Sequence, residues 1–189
     1  MTSEQTPDPL ADASSLSAAV RDLLAEREIR RVLQIYCHAV DRRDLALLQT
    51  IYHEGAVENH VHYEGDALEF GPYIFPSLAK RGFRLGNHHL TGILVDIDGD
   101  TAKTESYFYS IARQFVDPDN EDGDSELSIL SGRYLDKFEN RGGSWRIVDR
   151  KVAIELDFKT PYVPLYEGGK VLIRGSLQND DVASGWFSL

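Results

Sequence analysis

The sequence predicts an α+β fold, with helices in the N-terminal half and an antiparallel β meander after them. Two observations carry this. Apolar residues recur at helical spacing between residues 16 and 52, and they alternate at strand spacing, between tight glycine turns, from 88 to 158. No β-α-β alternation and no internal repeat interrupts that order.

Residues 1–15 hold Pro7 and Pro9 with little apolar material, so a disordered tail is expected there. A helix is predicted over 16–41, where Ile29, Val32, Leu33, Tyr36 and Val40 form one stripe. Asp44 is placed to cap a second helix over 45–52, with Leu45, Leu48 and Ile51 or Tyr52 on its apolar face. A short strand follows at 56–63, then a third helix over 67–80 that Gly71, Pro72 and Pro76 weaken. Strands are predicted at 88–97 and 101–115, joined at Asp98-Gly99, and at 127–139 and 144–158, joined through Gly142-Gly143. The intervening 117–126, DPDNEDGDSE, reads as an acidic loop. One domain over 16–158 is therefore expected. The remaining 159–189 carries Pro161, Pro164 and Gly168-Gly169 together with Tyr162, Tyr166, Trp186 and Phe187. So apolar an extension is expected to bury itself on its own domain or on a neighbouring subunit.

With 20 Lys and Arg against 31 Asp and Glu, the chain has a formal net charge of −11. That excludes non-specific binding to nucleic acid or anionic membrane, both of which need a cationic footprint. A single cysteine, Cys37, excludes an intrachain disulfide and a multi-cysteine metal site. The first residues show no basic stretch followed by an apolar one, and no apolar run approaches the ~20 residues of a membrane span. A soluble cytoplasmic protein is expected.

Several residues stand out chemically. Asp41 ends the first helix, where unpaired carbonyls disfavour a carboxylate by a few tenths to ~1 kcal/mol; it is either a solvated helix-end acid or a carboxylate that orients a histidine. His88 and His89 point to opposite faces of one strand, and periodicity does not choose between them. Tyr36 lies on the apolar helix stripe, as a core residue or as a phenol aimed into a cavity. Arg150 interrupts a strand face read as Val148, Arg150, Val152, Ile154, Leu156, so its guanidinium needs a carboxylate partner or an anionic ligand. His60 and His62 share a face with Glu58 in a His-x-His pattern. A cupin-type metal site would need a longer glycine spacing, a later glutamate and a second motif, so no metal is expected and a pocket-lining role is. Nucleophile-elbow, phosphate-loop, zincin and dinucleotide-binding motifs are missing.

Three segments, YCHAVDRRDLALLQTIY (36–52), NHHLTGILVDIDGDTA (87–102) and GRYLDKFENRGGSWRIVDRKV (132–152), resemble SnoaL-like members of the nuclear-transport-factor-2-like superfamily over about 18–158. The resemblance implies a cone in which a curved sheet, antiparallel or mixed, and N-terminal helices enclose an apolar pocket. It implies that Asp41, His88 (rather than His89), Tyr36 and Arg150 are the catalytic set, with Gly92 replacing a usual asparagine. His60, His62 and Phe108 are assigned to substrate contact, and no cofactor is implied. Relatives include dehydratases, a dehydrochlorinase and polyketide cyclases, so a lyase eliminating water from a hydrophobic, hydroxylated ring compound such as a steroid or aromatic metabolite is expected. An isomerase, a cyclase, a C–C lyase or a non-catalytic binding module would use the same pocket. A homo-oligomer, dimer or trimer, is implied, with 159–189 on the pocket mouth or a neighbouring subunit.

Overall fold

Helix α1 (Ala13–Arg42) begins where the Asp12 carboxylate accepts the backbone N–H groups of Ser14 and Ser15 at 2.8 and 2.9 Å. That cap, which satisfies donors the helix itself leaves orphaned, moves the start ahead of residue 16. The computed structural model describes residues 12–165, 175–177, 181–187 and 189; most of the expected N-terminal tail, Tyr166 and Gly168-Gly169 lie outside them. Ile29, Leu33 and Tyr36 form the fully buried stripe of α1. Its end is closed by Arg43 in left-handed conformation (φ 55°), whose N–H bonds back to the Ala39 and Val40 carbonyls.

Helix α2 (Leu45–Thr50) is capped by Asp44, which accepts from the Leu47 N–H at 2.9 Å. It stops short of residue 52 because the Ile51 carbonyl is taken by the Ile147 N–H at 2.9 Å, and Tyr52 opens strand β1 (Tyr52–His60). A left-handed Val61 (φ 54°) turns the chain into β2 (Tyr63–Asp66), a four-residue strand too short to show a period. Helix α3 (Ala67–Lys80) is continuous through both prolines. Pro72 cannot donate to the Leu68 carbonyl, but Gln49 Nε2 does so at 3.0 Å, so the bond lost to proline is replaced from α2.

Strands β3 (Phe83–Asp98), β4 (Thr101–Phe115), β5 (Ser125–Arg141) and β6 (Ser144–Pro161) complete a six-stranded sheet in the order β2-β1-β6-β5-β4-β3. β1 and β6 run parallel and every other pair antiparallel, so the sheet is mixed. The strands run past the predicted ends because ladder pairs such as Phe83↔Gln114 and Glu126↔Pro161 continue into residues without alternation. Gly142 and Gly143, at φ 63° and 87°, form the two-residue hairpin loop between β5 and β6.

Register shifts bend the sheet. One, at Val148, lets Ile147 and Arg150 both face inward, so Ile147 and not Val148 belongs to the buried face. Another lies at Ser131/Gly132, where β6 passes so close that a Cβ on Gly132 would collide with the Ala153 carbonyl oxygen. Gly132→Ala is therefore expected to cost about 1–3 kcal/mol, read as a lowered denaturation midpoint at unchanged slope.

The three helices pack on one sheet face around a core that includes Phe108, Tyr134, Phe138 and Ile147. Among the described residues no helix is long and apolar enough to cross a membrane. Of the extension, residues 159–161 continue β6 and the Tyr162 N–H donates to the Ser125 carbonyl at 2.9 Å. The described residues from 175 onward lie beside the end of α1 and beside α2, where Asp181 reaches Arg42 at 3.8 Å and accepts the Ser176 N–H at 2.7 Å. Trp186 and Phe187 are 74% and 65% exposed on the single chain.

Candidate active site

The last turn of α1 carries Asp41 to the edge of β3, and there one carboxylate grips one histidine twice. Asp41 Oδ2 accepts the His88 backbone N–H at 3.0 Å, and Oδ1 lies 2.6 Å from His88 Nδ1. These bonds offset the unfavourable position of a carboxylate at a helix C-terminus. They also set the tautomer: with the proton of Nδ1 held by the carboxylate, Nε2 of a neutral imidazole is left as an acceptor. The two side chains are 18% and 12% exposed for His88 and Asp41 respectively, and both line one cavity. His89 points to the opposite face and is exposed.

The cavity has a volume of about 380 Å³ and opens between α1, α3 and the inner sheet face. Val40, Phe70, Ile74, Phe108, Leu130 and Ile154 give it apolar walls. Phe108 stacks on Tyr134 with ring centres 4.3 Å apart, and Tyr134 meets Tyr36 edge-on at 5.3 Å. Burial pushes the Tyr36 phenol well above its usual range, with the Arg150 charge opposing, so it is protonated and available only as a donor or neutral acceptor. The neighbouring Cys37 thiol is pushed up to about 12 by burial, which excludes a thiolate nucleophile at neutral pH.

His60, at the end of β1, stacks on Phe70 at 4.8 Å and lies in the same cavity. Its Nδ1 is 3.1 Å from Glu58 Oε1 and 3.5 Å from the Tyr36 hydroxyl. Glu58 is fully buried, and its second oxygen accepts from the Tyr52 hydroxyl at 2.8 Å. The shared face expected for Glu58, His60 and His62 is broken. β1 ends at His60, the left-handed Val61 redirects the chain, and His62 stands exposed at the cavity rim.

Of the two partners expected for the Arg150 guanidinium, a carboxylate or an anionic ligand, the structure supplies the carboxylate. The residue is completely buried and is not among the cavity-lining residues. Its Nε and Nη2 donate to Asp136 at 2.6 and 2.9 Å, and its guanidinium carbon lies 4.0 and 4.7 Å from the ring centres of Tyr36 and Tyr134. Burial pushes the Asp136 carboxyl up while the guanidinium pulls it down; the two-pronged geometry is that of the ionised pair. Nη1 finds no hydrogen-bond acceptor among the described residues, and the two aromatic faces supply negative charge instead. Arg150 is thus a support beneath the cavity floor that holds Tyr36.

Asp136 was not singled out from the sequence, where Glu58 stood out only as sharing a face with His60 and His62. The signal for Asp136 was present: in β5 it breaks the inward series Tyr134, Asp136, Phe138 as Arg150 breaks that of β6, and the two sit opposite each other in the ladder. Glu58 flanks Arg150 from the parallel strand β1, so the three side chains form a buried row across the sheet.

The profile of the SnoaL-like domain family matches residues 21–151. No curated protein sequence matches the chain significantly. Solved structures do. A candidate scytalone dehydratase from Novosphingobium aromaticivorans is 19% identical, with a TM-score of 0.61 over 76% of this chain and 91% of its own. The hexachlorocyclohexane dehydrochlorinase LinA-type3 from Novosphingobium barchaimii is 15% identical, with a TM-score of 0.61 over 80% and 99%. An NTF2-like protein with a cystatin-like fold from N. aromaticivorans is 22% identical, with a TM-score of 0.58 over 76% and 90%. At these identities the likeness establishes the fold.

Proposed function

The chain belongs to the SnoaL-like domain family, and from that premise we propose that it is a cofactor-independent lyase of the dehydratase type, acting on a hydrophobic, hydroxylated ring compound. The observation that carries this reading is the 2.6 Å Asp41–His88 contact at the wall of an apolar cavity. In the proposed reaction His88 Nε2 removes a proton from carbon, and the freed electron pair forms the new double bond as the neighbouring C–O bond breaks. The Tyr36 phenol donates its proton to the departing hydroxyl, which leaves as water, and the imidazolium proton then restores the phenol. Asp41 stabilises the imidazolium meanwhile. Arg150 acts through Tyr36 by fixing its ring, and the Phe108 and His60 side chains bound the substrate. The names of two structural neighbours, a candidate dehydratase and a dehydrochlorinase, both denote eliminations and support this choice.

The test is mass spectrometry of hydroxylated ring compounds incubated with the protein. Loss of one water from the substrate is the expected result. A product of unchanged mass and altered retention would replace the lyase by an isomerase in the same cavity. Tyr36→Phe removes only the donor and is expected to lower kcat by about 10²-fold, in steady-state kinetics, with KM little changed.

A further inference from the structure

One end of the cavity is cationic, although the chain as a whole carries −11. Arg43, Arg81 and Arg84 all line it, near Phe83. Arg43 Nη2 donates to the Phe83 carbonyl at 2.6 Å, and the Arg81 guanidinium carbon lies 5.1 Å from the centre of the Phe83 ring. Two other cations of the lining are neutralised locally, Arg84 by Glu121 and Lys159 by Glu126. Arg43 and Arg81 are not: among the described residues neither has a carboxylate within ion-pair distance. The two acids of the lining do not serve them, since Asp41 is engaged with His88 and Asp157, on β6, forms no ion pair with either arginine.

Arg43 is the more telling of the two. It is half-buried, its left-handed backbone and its bond to Phe83 fix its direction, and another guanidinium, Arg84, bears on its charge. Burial and that like charge both disfavour its protonated form, and among the described residues no carboxylate forms an ion pair with it to compensate. A partly desolvated guanidinium held this way calls for an anionic group from outside. Phe83 and His88 are five residues apart on β3, which sets the cationic end roughly 15 Å along the strand from the imidazole.

We propose that Arg43 and Arg81 form an anion subsite at the cavity mouth, so that the ligand is an amphipathic anion: an apolar ring body toward His88 and a carboxylate or phosphate at the mouth. This deepens the lyase reading and shares its cavity, but the test reads binding and not turnover, so either can fail alone.

Two fluorescent probes with the same rings separate charge from shape: 1-anilinonaphthalene-8-sulfonate and the uncharged N-phenyl-1-naphthylamine. Wild-type protein is expected to bind the sulfonate about tenfold more tightly. Arg43→Met and Arg81→Met, which keep an apolar stem, should each remove most of that preference and leave the neutral probe within about twofold. Arg43→Lys, which keeps the charge, should retain part of it. Ala112→Phe, which narrows the cavity wall, should weaken both probes together. Displacement of the sulfonate by 1-naphthoate or by 1-naphthyl phosphate, each against neutral 1-naphthalenemethanol, then identifies the anion. Equal wild-type affinity for the two probes would overturn the proposal, as would sulfonate binding that survives Ala112→Phe, or arginine variants that change both probes alike.

Discussion

Asp136→Asn is expected to destabilise the protein by about 3 kcal/mol, at the low end of the ~3–5 kcal/mol typical when one partner of a buried ion pair is removed. Arg150 stays charged whatever its surroundings, so the substitution leaves a cation with no exposure and without its bidentate partner. Two features soften the loss. Glu58 flanks Arg150 from β1, and the faces of Tyr36 and Tyr134 remain against the guanidinium. Replacing both partners, Asp136→Leu with Arg150→Met, should recover most of the stability, because an apolar pair of similar volume carries no desolvation cost. Urea denaturation of the wild type, both single variants and the double variant checks this as a thermodynamic cycle. If the double variant were as unstable as the sum of the singles, the pair would not be the unit described. The stable double variant should still lose activity, since Tyr36 would no longer rest on a cation.

The largest effect on activity is expected at the Asp41–His88 pair. A positioned proton-transfer group contributes typically ~10²–10⁴-fold, and His88→Ala should lose that factor in kcat. Asp41→Asn keeps the size of the side chain but not the charge that holds the imidazole and stabilises its protonated form, so its loss should approach that of His88→Ala. Because the two side chains act as one unit, the double variant should be scarcely worse than the worse single. Additive losses would mean that Asp41 and His88 act separately. Neither change should reduce stability as Asp136→Asn does, since both side chains are partly exposed.

How much of this was legible in the sequence depended on distance along the chain. The helix stripe and the strand alternation are local periodicities, and they yielded the element order and the mixed sheet's long strands. β2 was not legible, because four residues ending in a helix cap show no period. The continuity of α3 was not legible either, since the bond that tolerates Pro72 comes from Gln49, 19 residues earlier. Arg150 announced itself by breaking an apolar face, and the need for a partner followed; finding Asp136 required the β5–β6 register as well. The contact between Asp41 and His88 spans 47 residues and leaves no local pattern, so it rested wholly on the family resemblance. His62 shows the limit of alternation, which fails once a strand ends and a left-handed residue follows.

The most direct measurement is turnover by wild type and His88→Ala side by side, on whichever hydroxylated ring compound the wild type dehydrates, with fold and ligand affinity followed in both. The account expects His88→Ala to fold and bind normally and to lose at least ~10²-fold in kcat. Undiminished turnover by a folded His88→Ala protein would contradict it.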